Sequence, residues 1–262
     1  MRLPVPTSVI FLLLAFCLSG RTTTSQAAAE PLTLRVSAGV GLKDVLQTLQ
    51  KTYAEKQPDV RIEFNFAASG VLVKQIEQGA PVDLFLAPGR QHLQALIDAG
   101  STDEMHSCAL VGNDLALIVS REKANQIQGF SDLAGKAETL AIGQPEFVPV
   151  GRYAQEALTH LGLWKDLQSK VVFTKCVRQI TVYVDSGNVD AGLVFSSETK
   201  LLSNGRVVTL APADSHSPVV FSMAGIRGTK HPEALEALMA FLKSREAAAI
   251  FIDFGFRPLT GE

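Results

Sequence analysis

FNFAASGVLVKQIEQGAPVDLFLAP, residues 64–88, decides the fold. The first three residues end an alternating run that starts at Val60, in which apolar and polar side chains trade places as on a strand with one buried face. A turn of small residues follows, Ala67-Ala68-Ser69-Gly70. From about Val71 to Gln78 the apolar positions fall at helical spacing, and Gly79-Ala80-Pro81 ends them. Asp83 to Leu86 then reads as a second strand, apolar after its first residue. A strand, a tight turn, a helix and a buried strand within so few residues specify a crossover between neighbouring strands of a sheet.

The same alternation extends in both directions. Upstream, Leu32 to Val36 reads as a strand, Gly39-Val40-Gly41 breaks it, and Leu42, Val45, Leu46 and Leu49 mark a helix. Downstream, strands are predicted over residues 114–120, 139–145, 171–176, 191–197, 207–212 and 221–226. Helices are predicted at RQHLQALIDAG, near Ser131, at RYAQEALTHLG, over residues 177–185 and in the two closing segments, HPEALEALMAFLKS and REAAAIFIDFG. The pattern belongs to the α/β class.

The 262 residues are 47% hydrophobic with a formal charge of −2, ample for a large core and without the basic excess that nucleic acid or an anionic membrane attracts. Residues 1–29 read as a secretory leader: Arg2 opens it, residues 9–18 form an apolar run too short to span a bilayer, and Ala27-Ala28-Ala29 offers a cleavage point. Removing them leaves 22 basic and 26 acidic side chains. A mildly acidic, exported, periplasmic protein is expected. Cys17 offers a lipid anchor as the alternative, against which stands the bulky Phe16 before it. Export permits a disulfide between Cys108 and Cys176; two unpaired thiols are the other reading.

In an open α/β sheet, ligands bind where strand carboxyl ends meet helix amino ends. The first turn of a helix leaves backbone N–H groups unpaired, and its dipole adds positive potential, so a small polar turn makes an uncharged anion cradle. Four such junctions occur, at Gly41, Ser69, Val150-Gly151 and Val177. Ser69 alone is ambiguous, because serine before a helix commonly only caps it. The five histidines show no metal-ligand spacing, and there is no nucleophile elbow, phosphate-binding lysine loop or paired-carboxylate motif. An enzyme using Cys176 as nucleophile at the helix start of Val177 is the competing class, but no base accompanies it. Binding fits these residues better than catalysis.

At these junctions the chain resembles the periplasmic molybdate-binding proteins of ABC transporters, a branch of the bacterial extracellular solute-binding proteins. The resemblance lies in FAASGVLVKQIEQGAPVDLFLAP, in GQPEFVPVGRYAQEALTHLGLW (residues 143–164), in AGLVFSSE and in AAAIFIDFGF (residues 247–256). It implies a two-lobed periplasmic binding protein of type II, two α/β domains joined by a hinge. Residues 30–110 with 222–262 would form the first lobe and 111–221 the second, the chain crossing near residues 108–113 and returning near 221–225. It implies a monomeric receptor, not an enzyme, that needs no cofactor and delivers molybdate or tungstate to a membrane permease. The metal would arrive as an oxyanion, with no protein ligand bonded to it.

Carried over residue by residue, the resemblance makes Ser69 a hydroxyl donor and Val150 and Val177 backbone N–H donors. Two positions depart. The family's first serine falls on Gly41, and its ligand-side tyrosine falls on Phe195, which removes two hydroxyls. Each hydrogen bond to a charged partner contributes roughly 1.5–3 kcal/mol. Ser37 and Ser196 are the candidates to compensate; failing them, the chain is a related receptor for another small oxyanion or organic anion. Molybdate, tungstate and sulfate carry no proton near neutral pH, so they suit a site made of donors only. Glu146 and Asp83 are therefore expected to face away, and Arg152 to be an exposed helix residue rather than an ion-pair partner of the ligand.

Overall fold

A computed structural model describes residues 32–259; the expected leader and Cys17 lie outside the described residues. The chain starts with β1 (Leu32–Gly39), a single 3-10 turn at Val40–Leu42, α1 (Lys43–Lys56), β2 (Val60–Ala67), α2 (Ser69–Glu77), β3 (Leu84–Pro88), α3 (Arg90–Asp98) and β4 (Ser107–Asn113). There follow β5 (Leu115–Val119), α4 (Phe130–Lys136), β6 (Leu140–Gly143), α5 (Pro149–His160), the one-turn α6 (Trp164–Leu167), β7 (Val171–Thr174), α7 (Val177–Asp185), β8 (Ala191–Phe195) and β9 (Arg206–Leu210). β10 (Val219–Gly225), α8 (Pro232–Leu242) and α9 (Arg245–Asp253) close the chain.

These strands form two five-stranded sheets, ordered β2-β1-β3-β10-β4 and β7-β6-β8-β5-β9. With helices flanking both, this is the two-lobed architecture of a periplasmic binding protein. In the first sheet β1 runs parallel to β2 and β3, while β10 is antiparallel to β3 and β4. In the second, β6 is parallel to β7 and β8, while β5 is antiparallel to β8 and β9. Burial follows sheet position. LFLAP in β3, LALIV in β5 and AGLVF in β8 are buried at every residue, as strands covered on both faces must be, whereas VRIEFNFA in β2 and RVVTL in β9 lie at sheet edges and keep exposed positions.

The chain leaves the first sheet at Asp114 and re-enters it at Val219. Residues 111–113 and 219–221, expected in the second half, therefore pair in the first sheet. Asn113 anchors this passage: its Oδ1 accepts from the Asp114 N–H (2.9 Å) and Ser196 Oγ (2.7 Å), and its Nδ2 donates to Ser197 Oγ (2.9 Å). The tail returns alongside, with Gly112 and Arg257 exchanging backbone hydrogen bonds of 2.7 and 2.9 Å.

A candidate anion-binding site between the sheets

The parallel strands point their carboxyl ends at one another across a cleft, and the helices that follow begin there. α2 starts at Ser69 directly after β2; the helix is predicted to begin about two residues later, so Ser69 is a first-turn residue and not a flanking one. α5 starts at Pro149, whose missing N–H costs nothing at that position and whose fixed φ favours the helix, and Val150 is next. α7 starts at Val177. The N-cap residues of these three helices are Ala68, Val148 and Cys176, and none makes a side-chain capping bond. The first turns of three helices thus border one space, and none of the three N-cap side chains occupies their N–H groups.

That space is a cavity walled on one side by Gly39, Val40, Gly41, Ala67, Ala68, Ser69, Pro88 and Phe221, and on the other by Val148, Pro149, Val150, Cys176, Val177 and Phe195. The cavity is small, with room for a little more than one water. Among the described residues no charged side chain lines it. Close approach of backbone shapes the wall: a Cβ on Gly151 would overlap the Gly143 carbonyl oxygen, so only glycine lets α5 begin this close to the end of β6. Ser69 is 1% exposed and turns toward Gly39, whose absent Cβ would stand 3.4 Å from Ser69 Oγ.

The five residues singled out in the sequence, Gly41, Ser69, Val150, Val177 and Phe195, all lie on this wall. Phe195 contributes no polar atom. Its ring meets Tyr153 at 6.0 Å and Phe221 at 5.4 Å between centroids, both edge to face, so it backs the cavity with an apolar cluster, and burial there pushes the Tyr153 phenol up to about 12. Ser37 and Ser196 are not on the wall. Ser37 Oγ accepts from Asn65 Nδ2 at 3.5 Å, and the Ser196 hydroxyl is committed to Asn113 and to the Gly255 carbonyl. Neither replaces a missing hydroxyl.

Other charged candidates stand aside. Asp83 accepts from the Arg35 N–H (2.7 Å) and from Thr229 Oγ1 (2.6 Å), Glu146 from Gln144, and Arg152 pairs with Glu156 one turn along α5. Cys108 lies in β4 and Cys176 at the start of α7, both half-buried, and no disulfide joins them in this structure. Among the described residues no group of three His, Cys, Asp or Glu side chains is placed to hold a metal ion.

Two sets of contacts across the cleft were not legible in the sequence. The Gly70 N–H of α2 donates to the Phe147 carbonyl at 3.2 Å, and Lys74 Nζ lies 4.7 Å from the centre of the Phe147 ring. On the opposite flank Arg178 Nη2 of α7 donates to Asp44 Oδ2 of α1 at 2.8 Å, while Arg178 Nε lies 3.1 Å from Glu198 Oε2. Glu198 is 1% exposed, and burial, only partly offset by Arg178, pushes its carboxyl up to about 7.

Comparison with known proteins agrees with this geometry. A family model described as bacterial extracellular solute-binding protein matches residues 34–257. A Bacillus subtilis protein, YvgL, provisionally named an ABC transporter substrate-binding lipoprotein, is 37% identical over 94% of each chain. The molybdate-binding protein ModA of Haemophilus influenzae is 34% identical over 88% of this chain and 92% of its own. Among solved structures, the periplasmic molybdate-binding protein of Azotobacter vinelandii superposes with a TM-score of 0.78 at 22% identity, covering 87% of this chain and all of that one, a likeness of fold.

Proposed function

The chain belongs to the bacterial extracellular solute-binding proteins, receptors rather than enzymes, and from that premise we propose that it captures molybdate or tungstate between its two sheets and presents it to an ABC permease. One observation carries this reading: the cavity wall is built from Ser69 and the beginnings of helices, and among the described residues no charged side chain and no carboxylate lines it. Such a lining suits a tetrahedral dianion that carries no proton. The relatives named for molybdate binding point the same way.

A second receptor reading rests on Gly41 and Phe195, which leave the wall short of side-chain donors. It makes the ligand another small oxyanion or an organic anion, held more tightly than molybdate. Calorimetric titration of the mature protein with molybdate, tungstate, sulfate, phosphate and perchlorate separates the two. Similar strength for molybdate and tungstate, with sulfate far weaker, is the expected result; sulfate equal to or tighter than molybdate overturns the assignment.

The mature protein is proposed to be a periplasmic monomer that starts near Glu30. The lipoprotein name of YvgL makes anchoring at Cys17 the alternative. The mass of the exported protein distinguishes an unmodified start near Glu30 from a diacylated Cys17.

A further inference from the structure

Glu198 sits in the 3-10 turn Ser196–Leu201 that follows β8. Its Oε1 borders the position a side chain on Gly41 would take: a Cβ there would lie 3.3 Å away, a tight contact. Gly41 itself lines the cavity, so the carboxyl stands directly behind the wall at the point where the wall has no side chain. Oε2 and Arg178 Nε form an ion pair at 3.1 Å, but one poorly aligned as a hydrogen bond, and among the described residues neither atom has a better-aligned partner. The guanidinium turns instead to Asp44 across the cleft. Arg178 from α7 and Asp44 from α1 are the charged groups facing Glu198, while the adjoining β5, β8 and the turn Val40–Leu42 contain no titratable residue.

We propose that Glu198 takes up one proton when a dianionic oxyanion fills the cavity, making anion capture and proton uptake one event. The inference rests on the receptor reading above. A dianion on one side of Gly41 and a carboxylate behind it would repel through a medium of low permittivity, and the cheapest relief is to neutralise the carboxyl. Arg178 supplies only part of that relief, being poorly aligned with Glu198 and shared with Asp44. Burial already leaves the free-protein carboxyl divided between its two forms near neutral pH. Bound anion completes its protonation, and by reciprocity protonation strengthens anion binding. The proton comes from solvent when the ligand is fully deprotonated; an oxyanion that carries its own proton brings it along.

The sign follows from the raised pKa. Below about 7 the carboxyl is mostly protonated before ligand arrives and affinity is flat; above it, each bound dianion must draw a proton from ever more dilute supply. Titration of the mature protein with molybdate between about pH 6 and 9, in two buffers of different ionisation enthalpy, reads this directly. Proton uptake should rise toward one per anion, and affinity should fall by up to about tenfold per pH unit above 7. In Glu198→Gln both dependences should vanish. Infrared difference spectra of the wild type need no variant: molybdate should make a buried carboxylic-acid band grow. Binding without uptake, uptake unchanged in Glu198→Gln, or no new carboxylic-acid band overturns this proposal and leaves the receptor reading standing. If none of molybdate, tungstate, sulfate or phosphate binds at any pH, both fall.

Discussion

The ammonium of Lys74 stands over the ring of Phe147, 4.7 Å from its centroid, and joins the two sheets at the rim of the cleft. Lys74 lies on α2 and Phe147 in the turn before α5, one residue from the cavity wall at Val148. Phe147 is still 41% exposed, so its ring holds the rim from outside rather than forming core. The backbone bond from Gly70 to the Phe147 carbonyl runs beside it and does not depend on the side chain.

Phe147→Ala should therefore loosen closure without emptying the site. A cation over an exposed ring contributes roughly 0.5–1 kcal/mol, which corresponds to anion release faster by about two- to fivefold. Stopped-flow displacement of bound molybdate measures it, and association should change little. An unaltered release rate would show that the ring is not part of the closing contact.

Ser69→Ala tests the hydroxyl donor against its capping role. Ala68 is the N-cap of α2 and no side chain caps that helix, so the hydroxyl is free to serve a ligand. Losing a hydrogen bond to a charged partner, roughly 1.5–3 kcal/mol, should weaken anion binding by at least about tenfold. The melting temperature of the ligand-free protein should hardly move. A large fall in that temperature with affinity unchanged would make Ser69 a structural residue only.

Gly41→Ser asks whether the missing hydroxyl was lost or displaced. A Cβ at Gly41 would meet Glu198 Oε1 at 3.3 Å and Val177 Cγ1 at 3.4 Å, both from the other half of the molecule, so a larger side chain opposes closure. Overpacking of this kind costs roughly 1 kcal/mol or more, and Gly41→Ser should weaken binding by about fivefold or more. In a Glu198→Ala background the same substitution should be neutral or favourable, a coupling that a double-mutant cycle by calorimetry resolves. Tighter binding by Gly41→Ser alone would contradict the packing.

The sheets were legible because their central strands are uninterrupted apolar runs, and the helix beginnings because small residues and proline mark them. Residues 177–185 read as a helix and form α7 with those bounds. β4 was harder: SCALVGN is only buried over its last three residues, so the strand's character comes from pairing with β10 rather than from its own pattern. The four junctions could be identified singly, and their convergence on one cavity follows from parallel strands ending at a common level. The Arg178–Asp44 contact joins residues 134 positions apart, and nothing local in SSET marks Glu198 as buried. Gly41 reads as a missing donor; the structure adds that a carboxyl from the facing half stands against it.

Crystals grown with molybdate, with the metal located by its anomalous scattering, test the central claim most directly. The account predicts one peak in the cavity bounded by Gly41, Ser69, Val150 and Val177, its oxygens within hydrogen-bond distance of backbone N–H groups and Ser69 Oγ. A peak held by lysine or arginine side chains, or lying outside the cleft, would contradict it.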